Sequence, residues 1–403
     1  MKHRILSFLS AAALTAAAVP FTAVNADSEK TISFTYDVQG ENAVIVGING
    51  YGKNLVIPQT IDGLTVTAIA DNTLMGAEDI ESLVIPDSVV SIGERSFSAC
   101  PELTDVTIGT GLNTLGDYSF SACPKLKSIT VSAKNSSFSS VNGCLAKDKG
   151  SSLLVYAGDN NAVIPESVKT IGKAAFLGKT ALLSVDIPDS VTALGDFAFS
   201  GCTSLKTLDI PDSVKNIGKS CFMSCSNLKK VRLSEQLKSI NTNTFNACSA
   251  LTYITIPAST QTIGDNAFFG CTELYGLYIP ETVTQIGDQA IGFHYSIRTG
   301  AVENITNFSL HGEKGSAAEK YAGSSGIELR PFILGDVDDD GSVDGSDAAI
   351  ALREYSLIAS EFDGELNAFG VMAADCDNSG DVDGSDASII LKMYAEAGMS
   401  AEK

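Results

Sequence analysis

Tryptophan is absent from this 403-residue chain, and histidine occurs only three times. Without tryptophan the commonest aromatic platform for sugar rings is missing, although tyrosine can replace it. His3 belongs to the leader, so His294 and His311 alone remain for chemistry. Ser-His-Asp or Cys-His catalysis is poorly supplied, and no histidine pair offers a zinc site. Basic residues are also scarce, 27 against 48 acids, and no basic tract occurs, which argues against nucleic-acid binding. Long apolar runs are confined to the start, MKHRILSFLSAAALTAAAV, followed by Val24-Asn25-Ala26. A basic tip, a short apolar core and small residues before the cut read as a secretory signal over residues 1–26. A membrane anchor is the competing reading, and Pro20 and the short core weigh against it. The mature protein is therefore expected to be exported.

What is present is order. Ile164, Ile187, Ile210, Leu233, Ile256 and Ile279 stand 23 residues apart, and Ile85, Ile108 and Val131 form an earlier run in the same step. Counting each of these as position 0, proline recurs at position 1, glycine at 8, phenylalanine at 12, cysteine at 15 and leucine at 18. A constant period of this length means a solenoid whose coils bury their apolar faces against their neighbours. Apolar residues at 21 and 23 point inward on a short strand, leaving 20 and 22 outward. Proline at 1 ends that strand, and phenylalanine at 12 fills the interior opposite it. The segment around Ala198-Phe199 is expected to be a short helical turn.

Residues 27–56 alternate like a hairpin and are expected to cap the array. A ten-residue insertion between Val131 and Ile164 carries Gly143, Cys144 and Leu153–Tyr156, an expected extra hairpin. The register decays after Ile279, and residues 301–334 read as a C-terminal cap and linker, with strand, short helix (Ser316–Ala322) and strand. Six of the nine cysteines, Cys100, Cys123, Cys202, Cys225, Cys248 and Cys271, share position 15. Neighbouring rungs about 4.8 Å apart lie within reach of a disulfide. The shared position and the odd total favour free, buried thiols.

The IPDSV…IG…AF..C..L pattern over residues 57–300 is similar to leucine-rich repeats of the BspA-like type found in bacterial surface proteins. That resemblance implies a curved array with one parallel sheet and a role in binding proteins or cell surfaces. The outward positions then form a possible ligand face: Ser184 and Asp186, Thr207 and Asp209, Lys230 and Arg232, Tyr253 and Thr255, Gly276 and Tyr278. An ordinary solvated strand face is the competing reading.

Charge is uneven. Residues 336–403 hold 17 acids against 3 bases, so the acidity suggests cation binding there. Two segments, DVDDDGSVDGSD from Asp336 and DCDNSGDVDGSD from Asp375, place oxygens at loop positions 1, 3, 5, 7, 9 and 12 around a glycine at 6. Calcium is a hard cation taking six to eight oxygens, and this spacing is that of an EF-type loop. The first loop offers Asp336, Asp338, Asp340, the Ser342 carbonyl, Asp344 and Asp347. The second offers Asp375, Asp377, Ser379, the Asp381 carbonyl, Asp383 and Asp386. Two calcium ions are expected, the second held more weakly because Ser379 is neutral.

The duplication continues past the ligands, GSDAAIALREY against GSDASIILKMY. A loop-helix pair with aspartate at position 12 resembles a type I dockerin over residues 335–403. The resemblance implies calcium-dependent docking to a cohesin module of a scaffoldin. By matching position, Gly345, Ser346, Leu352 and Arg353, or Gly384, Ser385, Leu391 and Lys392, would touch the cohesin in two interchangeable orientations. Burial of Leu352 and Leu391 in the module's own core is the competing reading.

The expected fold is α+β, a leucine-rich-repeat solenoid followed by a small all-α duplicated calcium loop-helix module. The expected function is a secreted, noncatalytic cellulosome subunit, held at the cell surface through a scaffoldin and presenting the repeat face to a protein or surface glycan. The alternative is a polysaccharide-degrading enzyme or an accessory of plant cell-wall breakdown. Its best candidate is Asp186 with Asp209, neighbours at position 22 on strands roughly 5 Å apart.

Overall fold

The computed structural model describes residues 21–23, 32–50, 52–360, 364, 366, 368–377 and 382–401. Most of the expected signal segment lies outside them. The chain divides into two compact units, residues 1–139 and 140–403.

In the first unit, Ile32–Gln39 and Asn42–Asn49 pair antiparallel, the expected N-terminal hairpin. Its second strand pairs in parallel with Leu64–Ile69, which opens a column continued by Ser91–Ile92 and Thr114–Leu115. A second parallel column runs from Asn54–Val56 through Ser82–Ile85 and Asp105–Ile108 to Ser128–Val131. In the second unit the insertion forms a hairpin of Cys144–Lys147 and Ser152–Val155, which hands on to Thr170–Ile171, Ala193–Leu194 and Asn216–Ile217. Strands at positions 20–22 pair with the equivalent residues one coil later, as Thr207–Asp209 does with Lys230–Arg232. Each coil thus contributes not to the one parallel sheet expected but to two parallel ladders. The one at positions 6–7 is only two residues long, too short to betray itself as a strand.

The expected helical turn at positions 11–15 is not a helix. Phe197, Ser220, Asn243 and Asn266 at position 10, and Gly201, Ser224, Ala247 and Gly270 at position 14, have left-handed backbones. These reversals turn the amides outward: Phe197, Phe199 and Gly201 donate to the carbonyls of Lys219, Cys221 and Met223 in the next coil. A helix would spend those donors on its own carbonyls. The segment is a third coil-to-coil hydrogen-bonded column, and its bonds tie neighbours together.

Inside, the position-12 rings form a ladder, extended at one end by Tyr156 of the insertion. Tyr156, Phe176, Phe199, Phe222, Phe245 and Phe268 stack with centroids 4.3–5.5 Å apart. The cysteines beside them are free. Cys202, Cys225, Cys248 and Cys271 donate to the carbonyls of Phe176, Phe199, Phe222 and Phe245 at 3.2–3.3 Å. Burial pushes their thiols up, that of Cys225 to about 12, so they are poor nucleophiles. Eight of the nine thiols are buried and Cys376 is half-buried, so a thiol titration at pH 8 should find no more than one reactive group, Cys376, in the folded protein, and nine after denaturation without reductant. Several fast thiols before denaturation, or fewer than nine after it, would remove the buried ladder.

The position-2 aspartates also bind coil to coil. Asp87 accepts from the Thr110 amide at 2.7 Å and Asp212 from the Glu235 amide at 2.9 Å. The array ends with Ser309–His311, helix α1 (Ala317–Ser325) and Glu328–Arg330. Ser316 caps α1 by accepting from the Glu319 amide, so the helix starts one residue later and runs three residues further than expected. Three helices follow: α2 (Gly345–Ala359), α3 (Ala368–Ala374) and α4 (Gly384–Ala401). Ala348 and Ala351 of α2 share a small core with Ala387 and Ile390 of α4. The solenoid of parallel strands followed by a small helical region is thus the fold observed.

Candidate binding face and calcium loops

The outward strand positions are presented as the alternation requires. Ser184, Asp186, Thr207, Asp209, Lys230 and Arg232 are all exposed or half-exposed. Arg232 is tied to its neighbours: Nη1 donates to Asp209 Oδ1 at 3.1 Å, and Nη2 to both oxygens of Asp212 at 3.2 Å. Asp186, Asp189, Asp209, Asp212 and Arg232 line one open groove. Asp186 and Asp209, the candidate catalytic pair, both stand exposed on this face. The Tyr253 side chain lies outside the described ones. Gly276 is buried and Tyr278 half-buried, so the face is not uniformly open.

Both acidic loops fold around buried carboxylates. Asp336 takes the Asp340 amide at 3.1 Å on one oxygen and the Gly341 amide at 3.0 Å on the other. Asp347 accepts from the amides of Val337 and Asp344, at 2.6 and 2.8 Å. Thirty-nine residues later, Asp386 accepts from Cys376 and Asp383, both at 2.8 Å. The two copies therefore repeat one geometry. Asp347 and Asp386 are 1% and 0% exposed, and among the described residues no cationic side chain is bonded to them, an arrangement costly for anions. Burial also holds the Asp336 carboxyl above its usual value, with Asp347 adding repulsion.

Carboxylate oxygens of Asp336, Asp338 and Asp340 lie within 4.8 Å of one another, as do those of Asp375, Asp377 and Asp386. Calcium–oxygen distances of about 2.3–2.6 Å put opposite ligands roughly 5 Å apart, so both triads fit one ion. The second triad draws in position 12 where the first uses position 5, in keeping with Ser379 replacing an acid. Ser379 and Asp381 lie outside the described residues. Asp344 and Asp383 act as helix caps, and the amides of Ser346 and Ser385 hold their carboxyls below the ordinary range. The Ser346 hydroxyl donates to Asp338 and Asp344, which orders the start of α2 against the loop.

Leu352 and Leu391 point to solvent, 46% and 47% exposed, and do not join the module's core. Tyr355 and Tyr394, one helical turn further along, are exposed beside them. These tyrosines escaped attention in the sequence, although both end the duplicated segment at matching positions. Arg353 and Lys392 are exposed too, and Lys392 lies 4.0 Å from Glu396.

A 23-residue coil with a consensus leucine, a short parallel strand and a phenylalanine spine defines a leucine-rich repeat, a class of modules that bind proteins and generally do not catalyse. The chain belongs to the BspA-type leucine-rich repeat family, whose model matches in six copies over residues 55–145 and 157–275. Among solved structures, a leucine-rich repeat protein from Eubacterium ventriosum is 20% identical, with 68% of this chain and 94% of that one covered and a TM-score of 0.44. The pneumococcal vaccine antigen PcpA is 15% identical over 74% and 96%, also at 0.44. A leucine-rich cell surface protein from Faecalibacterium prausnitzii is 18% identical over 70% and 97%, at 0.31. At such identities and scores these likenesses add nothing to the family assignment. No curated protein matches the chain. No helix among the described residues is long and apolar enough to cross a membrane.

Proposed function

We infer that the chain is an exported, noncatalytic binding subunit whose C-terminal module docks, with two calcium ions, to a cohesin of a cellulosomal scaffoldin. The repeats then hold a protein or surface-glycan ligand near the scaffold and the cell surface that carries it. The observation that carries this reading is the 39-residue duplication. It repeats a buried carboxylate cradle and also an exposed Leu–Tyr pair, one on α2 and one on α4. Asp336, Asp338, Asp340, the Ser342 carbonyl and Asp347 would hold one ion, and Asp375, Asp377, Ser379, the Asp381 carbonyl and Asp386 the other, with Asp344 and Asp383 acting through water. Calcium supplies the positive charge that lets these carboxylates pack together. Leu352, Arg353 and Tyr355, or Leu391, Lys392 and Tyr394, would meet the cohesin. Gly345, Ser346, Gly384 and Ser385 would sit at the rim of each face.

The test is surface binding of the full chain to a panel of purified cohesin modules in calcium and in EGTA. Saturable binding lost on chelation is expected. Binding that survives chelation, or two bound calcium ions with no cohesin in the panel retained, would remove the docking assignment.

A further inference from the structure

Three strands close the repeat array in parallel register, pairing Gly276 with Ser309 and Glu328 in one outward row and Tyr278 with His311 and Arg330 in the next. In the three coils from Ser184 to Arg232, the equivalent side chains reach solvent. Here the middle strand is covered: His311, outward by alternation, is 1% exposed, and Ser309 is also buried, while Tyr278 and Arg330 beside it are half-buried. The cover is the chain's own C-terminal region. The Phe332 ring packs on Tyr278 at 4.8 Å between centroids. Arg330 Nη1 donates to Asp339 Oδ2 at 2.6 Å and to the Asp339 carbonyl at 3.2 Å. His311 Nε2 lies 3.6 Å from the same carboxylate oxygen. Helix α3 runs alongside the strands at Gly276–Tyr278 and Tyr253–Ile254.

Asp339 links two systems. It is position 4 of the first acidic loop, between the candidate ligands Asp338 and Asp340, with a left-handed backbone at φ 59°. Its side chain turns toward the repeats while its neighbours gather on the ion side. We propose that the first loop, when filled with calcium, clasps the C-terminal module onto the strand face of the last coils, so that calcium decides whether this part of the face is open to a protein ligand. This rests on the calcium reading of the loop.

The physical link is order. Ligands at positions 3 and 5 fix the backbone on both sides of position 4, so Asp339 meets Arg330 without a further ordering cost. With the ion gone, Asp336, Asp338, Asp339 and Asp340 repel one another. The partly exposed Arg330–Asp339 pair is then too weak to hold the loop alone. The second loop has Asn378 at position 4 and lacks the charge for an equivalent contact.

The chain has no tryptophan, so Phe332→Trp makes a single emitter at the clasp. In the full-length protein, calcium should shift its emission to the blue and EGTA should return it to the red. Arg330→Gln and Asp339→Asn, the latter suited to the left-handed backbone, should leave emission red even in calcium. By reciprocity each should weaken the first loop's calcium affinity about tenfold in titration calorimetry and spare the second. Hydrogen exchange of the wild-type strand Gly276–Tyr278, slower with calcium than without, checks the result with no reporter. If both loops bind calcium but strand exchange is the same in calcium and EGTA, the clasp is wrong and the calcium reading stands. If no calcium binds, both fall.

Discussion

Asp336→Asn combined with Asp375→Asn should abolish calcium binding to both loops and unfold α2 and α4 at neutral pH. Each aspartate is position 1 of its loop, and each belongs to a triad of oxygens close enough to share one ion. Asp347 and Asp386 close their loops from inside the module, where their oxygens accept backbone amides that fix the start of each helix. Removing the ion leaves the gathered carboxylates of each triad to repel one another in both halves of one small module. At calcium a thousandfold above Kd, an ion binding only the folded state stabilises it by about 4 kcal/mol. That is comparable to what so small an apolar core supplies by itself. Calorimetry should show two ions for the wild type, one for either single variant and none for the pair. The helical signal in circular dichroism should fall with the last ion, while the repeat strands persist. Asp375→Asn should cost less than Asp336→Asn, because the second loop is already weakened by Ser379. A double variant that still binds calcium, or a module equally helical in EGTA, would sink the account.

Much of this was legible because periodicity fixes which side of the chain faces in. The register alone places Phe199 and Cys202 in the interior, and both lie there in the ring and thiol ladders. The failure at positions 11–15 has a definite cause. Apolar residues at 11, 12 and 15 mimic one turn of helix, while the left-handed residues that forbid it include Phe197 and Ser220, which carry no such signal. Only the next coil's carbonyls make that backbone worthwhile, and a neighbour in space does not show in a local pattern. The same holds for Tyr278. Its outward register was readable, but its partial cover by Phe332 depends on how the chain folds back after Arg330. The gathering of Asp336, Asp338 and Asp340 was the easier case, since all three come from one twelve-residue stretch; that they hold calcium is our proposal.

Charging one docking face at a time should hardly matter, whereas charging both should be decisive. Leu352 and Tyr355 on α2 match Leu391 and Tyr394 on α4, and all four side chains are about half exposed. On the docking proposed above, exposed apolar and aromatic groups paired across an internal duplication would make two near-equal surfaces for one partner. Two equivalent modes double the association constant, so Leu352→Asp with Tyr355→Asp should weaken cohesin binding only about twofold. The same holds for Leu391→Asp with Tyr394→Asp. With all four replaced no good face remains, and losing anchors worth about 2 kcal/mol or more apiece should weaken binding at least 100-fold. None of the four side chains is a calcium ligand or a core residue, so calcium stoichiometry and helical content should stay as in the wild type. If one pair alone abolishes binding, a single orientation operates and the second copy serves only the fold. If the fourfold variant binds like the wild type with calcium intact, the partner docks elsewhere.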